Sequence, residues 1–414
     1  MAIIKAFKAY RPIKEKARDI ASRPYDVLNT AEAKKEAEGN PLSFLHIVKP
    51  EIDFPDGYDA YAPEIYQKAK SNFEAMINDG TFFQDDSPCI YIYRLEMGDI
   101  QQNGIVAAAA VSDYFDNVIK KHEKTRPVKE EDRKNHVRVQ RMNPEPVFFA
   151  YKQVDELDRL VEEVEKGVPE YNFIAEDGIR HMLWKVDQPE TVFEFVQLFA
   201  EKVPATYVAD GHHRTAAAAL VGQELAESNE AHTGKEAYNY FLAVHFPDNQ
   251  LKIMDYNRVV KDLGDHDPVS FLTEIQKSFE IRPVEKSYKP QRLHEFSMYL
   301  KGSWYVLTAK EGTYNDHDPI ETLDVTVLSK QVLEPILGIV DLRRDARIEF
   351  VGGIRGLGEL ERRVDNGEMA AAFALYPVSM QQLIDIADND LLMPPKVTWF
   401  EPKLRSGLFV YKFD

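Results

Sequence analysis

Cysteine is nearly absent from this chain. Cys89 is the only one among 414 residues, so neither an internal disulfide framework nor a CxxC zinc site can form. A single thiol in an apolar run, with no histidine nearby in sequence, gives no support to nucleophilic hydrolase chemistry. Long apolar runs are missing too. Nothing approaches the ~20 uninterrupted apolar residues of a membrane span, and the opening MAIIKAFKAYRPIKEKARD lacks an apolar core of signal-peptide length. The expectation is a cytoplasmic protein with no membrane role. Positive charge is in deficit: 51 Lys and Arg against 69 Asp and Glu leave a net charge of −18. Nucleic acid is therefore not an expected partner, because its phosphates require a cationic surface. Common nucleotide and hydrolase signatures are also missing. There is no GxxxxGK[ST] and no GxSxG, and the glycines of VGGIRGLGELERR, at 352, 353, 356 and 358, are out of order for a GxGxxG pyrophosphate turn.

What is present is the composition of an ordinary globular protein, 44% hydrophobic and 29% charged, long enough for two or three cores. Strand-like and helix-like runs alternate along the whole length, which predicts a mixed α+β (α/β) fold. Near the N-terminus Ile3 to Ala9 reads as a strand, Asn29-Thr30 as the cap of a helix over 31–38 that Gly39 ends, and Ser43 to Val48 as a further strand closed by Pro50. Helices are expected over 62–77, 155–166 and 190–202, with strands over 90–95, 104–111, 147–151, 182–186, 205–209 and 238–246. The polar stretch 120–141 reads as a loop entering a helix. The last third repeats the mixture, ending on a strand over 408–413. Three domains are expected, 1–150, 151–260 and 261–414, the central one carrying the motif described next.

That motif is YVADGHHRTAAAAL, Tyr207 to Leu220. Ala205 to Ala209 has strand composition, Asp210-Gly211 is turn chemistry, and the alanines are strong helix formers, so His212 and His213 open a helix. A helix start offers unpaired amides and the positive end of the macrodipole to an anion. Gly211 lets a ligand approach the backbone, His212 or His213 adds donors, Arg214 supplies a bidentate fork for phosphate oxygens, and Thr215 completes the turn. Asp210 is either the helix N-cap or a carboxylate that touches a metal or a hydroxyl. The alanine run predicts close approach of the helix to its sheet.

Two further clusters could serve an anionic ligand. In KKHEKTRPVKEEDR, 120–133, Glu123 sits among His122, Thr125, Arg126 and Arg133. Folded over the glycine turn, Glu123 could take the proton of an attacking hydroxyl while Arg126 and Arg133 steady phosphate charge; the alternative is a solvated, salt-bridged face. Near the C-terminus Lys396, Lys403 and Arg405 form a basic cluster that is either a clamp for an anion or a plain surface loop. Asp26, in RPYDV, is either a ligand-facing carboxylate or part of a turn.

RPYDV at 23–27, HEKT at 122–125, DGHHR at 210–214 and MPPKVTWFEPKLRSGL at 393–408 occur in one order along the chain, and with them it resembles the bacterial and archaeal domain of unknown function 1015 family. The DGHHR segment is in turn similar to the nucleotide-phosphate element of the ParB and sulfiredoxin-like superfamily, where Gly-x-x-Arg opens a helix and to which free serine kinases belong. That resemblance implies a ParB/sulfiredoxin-like core with additional mixed-sheet domains, binding ATP or ADP with Mg2+ and transferring phosphate to a small hydroxylated metabolite such as free serine. In this reading Glu123, Asp210 and His212 are catalytic, Asp210 holds the metal, and Gly211, His212, His213, Arg214, Thr215, Arg126, Arg133, Lys396 and Lys403 bind the nucleotide. The rival reading is a ParB-like switch that binds nucleotide without small-molecule kinase activity. Partners are then the nucleotide and the small substrate, with homo-oligomerisation left open.

Overall fold

IYIYRLEM, residues 90–97, alternates isoleucine with tyrosine before its charged end, and IQQNGIVAAAA, residues 100–110, runs from polar to small apolar residues; they pair antiparallel from Met97↔Ile100 to Tyr91↔Val106. Around them a nine-stranded mixed sheet assembles in the spatial order 119–120, 206–210, 147–151, 240–247, 100–110, 90–97, 180–186, 171–174, with Ile4–Lys5 added against 100–110. The 240–247 and 147–151 strands run parallel, as do 206–210 and 119–120, while the other pairs are antiparallel. This is the mixed α+β class expected. The computed structural model describes residues 1–413, and the contacts divide it into two units: Met1–Leu251 together with the residues from Pro402 on, and Lys252–Glu401. The position expected for the first domain boundary, residue 150, falls inside the Val147–Tyr151 strand, which is hydrogen-bonded on both sides. Residues 402–413 return to the first unit, where Tyr411–Lys412 pairs with Met142–Asn143.

The second unit is built on a six-stranded antiparallel sheet in the order 279–284, 303–309, 295–300, 371–374, 256–260, 348–352. Val259, Tyr299, Trp304, Val351, Leu360 and Ala372 form its core cluster, closed by the Leu357–Asp365 helix.

Several local expectations hold in detail. Asn29 caps the Thr30–Ala37 helix as a full capping box with Glu32, and the Pro63–Asn78, Asp155–Glu165 and Pro189–Lys202 helices lie where periodicity places them. Others are corrected. Ser43 to Val48 is not a strand: Leu45–Val48 is a single helical turn, with Phe44, Leu45, Ile47 and Val48 all buried. A short apolar run suits either state, and burial on every side decides. The strand expected over 3–9 shrinks to Ile4–Lys5. The final strand keeps only Tyr411–Lys412 of 408–413. Among the described residues no helix is long and apolar enough to cross a membrane.

Burial in the large sheet extends to a histidine. His245 is 1% exposed, its ring lies 5.5 Å from Phe149 and 5.2 Å from Phe199, and neither ring nitrogen has a hydrogen-bond partner. Burial pushes its pKa down to about 3. Replacing His245 by Leu is expected to stabilise the protein by about 1–3 kcal/mol, the cost of burying an unsatisfied polar group. Urea denaturation at pH 7 reads this as a higher midpoint at unchanged slope; a lower midpoint would mean that the ring is hydrated in the native state.

Candidate functional site

The Thr206–Asp210 strand does not end cleanly. Its register against the neighbouring strand slips between Val208, opposite Phe149, and Asp210, opposite Phe148, a bulge that turns the chain out of the sheet. Gly211 then adopts φ 93° and ψ 36°, left-handed backbone that glycine enters without a Cβ penalty. The His212–Ser228 helix follows directly, with Gly211 as its N-cap and no side chain capping it. The amides of its first turn and the positive end of its dipole are thus left for another group. Ala216, Ala217, Ala218 and Ala219 are all buried, and at Gly222 a Cβ would stand 2.5 Å from the Tyr238 carbonyl oxygen. The close approach expected of the alanine run is realised.

Asp210 is not the cap. Its Oδ1 accepts from the Gly211 amide at 3.1 Å and its Oδ2 from Lys403 Nζ at 3.0 Å. Burial would raise its pKa, but Lys403 and Arg214 outweigh that and hold the carboxyl well below the usual range. Arg214 is 7% exposed. Its Nη1 donates to the Pro146 carbonyl at 2.6 Å, and its Nη2 lies 3.6 Å from Asp26 Oδ2 and 3.7 Å from Asp210 Oδ2. Burial opposes its charge, yet Asp26, Glu145 and Asp210 more than offset that. A Cβ on Gly211 would stand 3.1 Å from both Cζ and Nε of Arg214, so the guanidinium folds directly over the glycine. Gly211→Ala is expected to destabilise the protein by about 1–2 kcal/mol through the left-handed backbone and to displace Arg214. Thermal melts and a phosphate titration check both effects, and unchanged values in both would show that the close packing is slack.

The HEKT segment crosses this helix start. The His122 and His212 rings meet edge to face at 4.5 Å, and the Arg126 amide donates to His213 Nε2 at 3.0 Å. Glu123 is half-buried between them in sequence. His122 is pushed down to about 4 by burial, and His212 well below its ordinary value by burial and by His122; His213 is lowered by burial and the nearby Arg126.

The remaining expected residues are spread more widely. Thr215 is fully buried, its hydroxyl donating back to the Gly211 carbonyl at 3.0 Å. Arg126 is exposed and engages the helix through its backbone. Arg133 lies inside the Pro127–Gln140 helix, forked onto Asp132 Oδ2 at 2.7 and 3.0 Å, with its guanidinium 3.8 Å from the Tyr25 ring centroid. Lys396 belongs to the second unit, where its ammonium lies over the Tyr256 ring and its carbonyl accepts from Arg258. Arg405 pairs with Asp177.

Two carboxylates join the site that the sequence reading did not assign to it. Asp26, left open between turn and ligand, sits in the Tyr25–Val27 turn beside Arg214. Glu145 is buried and accepts from the Tyr25 amide at 3.1 Å and from Ser406 Oγ at 3.0 Å, with Arg133 Nη1 4.0 Å away. Burial raises its pKa, against the pull of Arg214 and Arg133. The signal was NPEPVFF, 143–149, a lone carboxylate between two prolines at the mouth of an apolar strand. Behind Arg214 lies a cavity of about 30 Å³ lined by Arg133, His136, Asn143, Glu145, Ala217 and Phe241 among others, the size of about one water.

Four separated motifs therefore converge: RPYDV, HEKT, DGHHR and the Lys403 segment. The family model for "Protein of unknown function (DUF1015)" matches residues 4–326. The chain belongs to that family. Among solved structures the DUF1015 chain is similar to a conserved hypothetical protein from Pyrococcus furiosus, at 14% identity and TM-score 0.35, covering 74% of this chain and 94% of that one. It is similar to a free serine kinase in complex with AMP, at 12% identity and TM-score 0.36, covering 74% and 91%. It is also similar to SbnI with a C-terminal truncation from Staphylococcus aureus, at 10% identity and TM-score 0.38, covering 74% and 87%. No curated protein matches it.

Proposed function

We propose that this DUF1015 protein is a nucleotide-dependent phosphotransferase acting on a small hydroxylated metabolite, free serine being one candidate. The observation that carries the reading is the uncapped helix start at Gly211, flanked by the Arg214 guanidinium and the Lys403 ammonium. Amides, dipole and two cations suit a phosphate chain. Phosphoryl transfer asks mainly for positioning and charge stabilisation. A lone pair of the substrate hydroxyl forms the new P–O bond. The bond to the leaving phosphate of ATP or ADP breaks with its electron pair, and the hydroxyl proton passes to a carboxylate, for which Glu123 on the crossing segment is the candidate. Mg2+ would enter with the nucleotide and be met by Asp210, whose carboxyl Lys403 and Arg214 keep ionised.

Calorimetry of the full chain with ATP and ADP, with and without Mg2+, is expected to show nucleotide binding, and 31P NMR with L-serine present is expected to show a phosphomonoester. Absence of nucleotide binding removes the reading. Nucleotide bound without a product across small hydroxylated acceptors would favour a ParB-like switch instead.

A further inference from the structure

His122 and His212 stand apart from the rest of the site. His122 is 1% exposed and His212 9%, their rings touch edge to face, and three of their four ring nitrogens, both of His122 and Nε2 of His212, have no hydrogen-bond partner. Buried polar atoms are paired in the great majority of cases; unlike the His245 ring, walled in by Phe149 and Phe199, these three orphaned nitrogens lie at the start of the His212–Ser228 helix, where a ligand group can complete them. The charged groups at the helix start, Asp210, Lys403, Arg214 and Asp26, form one ionic group beside the seat for phosphate. The imidazoles are left over, and burial keeps both of them neutral.

A neutral imidazole offers one N–H donor and one bare nitrogen acceptor. That set satisfies an uncharged group that both donates and accepts, which a hydroxyl does and a phosphate or carboxylate does not. A phosphate placed there would meet bare nitrogens as well as N–H groups and no balancing charge, at a desolvation cost that the helix amides and Arg214 avoid.

We infer that His122 and His212 form the docking pair for the hydroxyl-bearing end of the acceptor molecule, while the phosphates occupy the helix start beside Arg214 and Lys403. The inference rests on the phosphotransferase reading and fixes which part of the site reads which chemistry. An acceptor lacking its hydroxyl is rejected here because it leaves the nitrogens unpaired, the strongest form of discrimination a polar pocket has. His212 thereby moves from the phosphate grip, where the sequence reading placed it, to acceptor recognition.

The test uses the full chain, MgATP and MgADP as phosphate donors, and L-serine, L-homoserine and glycerol as hydroxyl probes, with L-alanine as the hydroxyl-free control. His122→Phe keeps the aromatic contact with His212 and removes both nitrogens; His122→Asn keeps a donor and an acceptor. The Phe variant is expected to lose about 10- to 100-fold in kcat/KM for the accepted probe, as expected for one or two buried hydrogen bonds, at unchanged nucleotide Kd. The Asn variant is expected to recover part of that loss. Since burial of neutral nitrogens is relieved, the Phe variant should melt no lower than wild type, which separates recognition from folding. Wild-type turnover by His122→Phe on a probe that wild type phosphorylates overturns the docking assignment and leaves the phosphotransferase reading standing. Nucleotide binding by wild type with transfer to none of the three probes overturns that reading, and the docking assignment with it.

Discussion

Lowering the pH from 7 to 5 is expected to remove much of the stability of the unit that holds the site. Five histidines there, His122, His136, His181, His212 and His245, are buried, and each has its pKa lowered, first of all by burial. In the unfolded chain the same imidazoles titrate near 6.5. The native state therefore refuses protons that the unfolded state accepts, so no penalty exists well above pH 6.5 and a growing one appears below it. An imidazole that stays neutral down to pH 5 costs about 2 kcal/mol there, at 1.36 kcal/mol per pH unit. Several groups act in the opposite sense. Burial pushes Asp113 up to about 6 and also raises the Glu145, Asp158 and Glu165 carboxyls, and the Asp53 carboxylate raises His46; all bind protons more readily in the native state and gain stability in acid. These carboxyls and the His46–Asp53 pair offset part of the five imidazoles, leaving a net loss of about 2–5 kcal/mol, a large share of the stability of an ordinary domain. Urea denaturation at pH 7, 6 and 5 should show the unfolding free energy falling with a slope that steepens toward several protons. His245→Leu should remove one proton from that slope. A flat profile between pH 7 and 5 would mean that these rings are hydrated or paired in the native state.

The elements most legible in the sequence were those whose local chemistry and tertiary environment agree. The Val147–Tyr151 strand is β-branched, aromatic and buried throughout, and it lies where composition puts it. The capping box at Asn29 and the helix after Gly211 follow from side-chain and glycine chemistry that acts within a few residues. What escaped was decided by long-range contacts. Tyr256–Val260 carries Asn257 and Arg258 in a strand that is buried on both faces, and Phe279–Val284 contains a proline tolerated on an edge strand. Glu295–Leu300 has no β-branched residue, yet it sits between two partner strands. Position along the sequence carries no sign of such pairings.

The candidate site divides in the same way. Asp210 to Arg214 are contiguous, so their meeting at one helix start is a local consequence of the Asp-Gly turn. Lys403 reaches Asp210 from 193 residues away, and Glu145 binds the Tyr25 amide across 120. The basic residues of the late motif looked equivalent in sequence, yet Lys403 joins Asp210, Arg405 pairs with Asp177, and Lys396 lies in the other unit. Only the fold distinguishes them. Glu145 was overlooked because a single carboxylate between two prolines gives no periodic signal, and Asp26 was left open between turn and ligand, although both act on the arginine that the motif made conspicuous.

That arginine provides the sharpest single test. Arg214→Ala is expected to destabilise the protein by about 1–3 kcal/mol, because removing the buried guanidinium leaves the others in its ionic group less compensated, although the exposed Asp26 regains solvent. Here those others are Asp26 and Asp210, 3.6 and 3.7 Å from Nη2, and the buried Glu145; the Pro146 carbonyl also loses its donor. Phosphate or nucleotide affinity should fall by about 10- to 100-fold, the worth of a charged hydrogen bond. Arg214→Lys retains the charge but not the planar fork, so it should recover stability more fully than affinity. Asp26→Asn in the Arg214→Ala background removes one stranded charge. If the two residues are coupled as the geometry requires, the double variant will be more stable than the sum of the single effects by about 0.5–3 kcal/mol. Strict additivity in urea melts would dissolve the coupling between RPYDV and DGHHR, and an Arg214→Ala protein with wild-type stability and phosphate affinity would leave the helix start without the cation on which the phosphate seat depends.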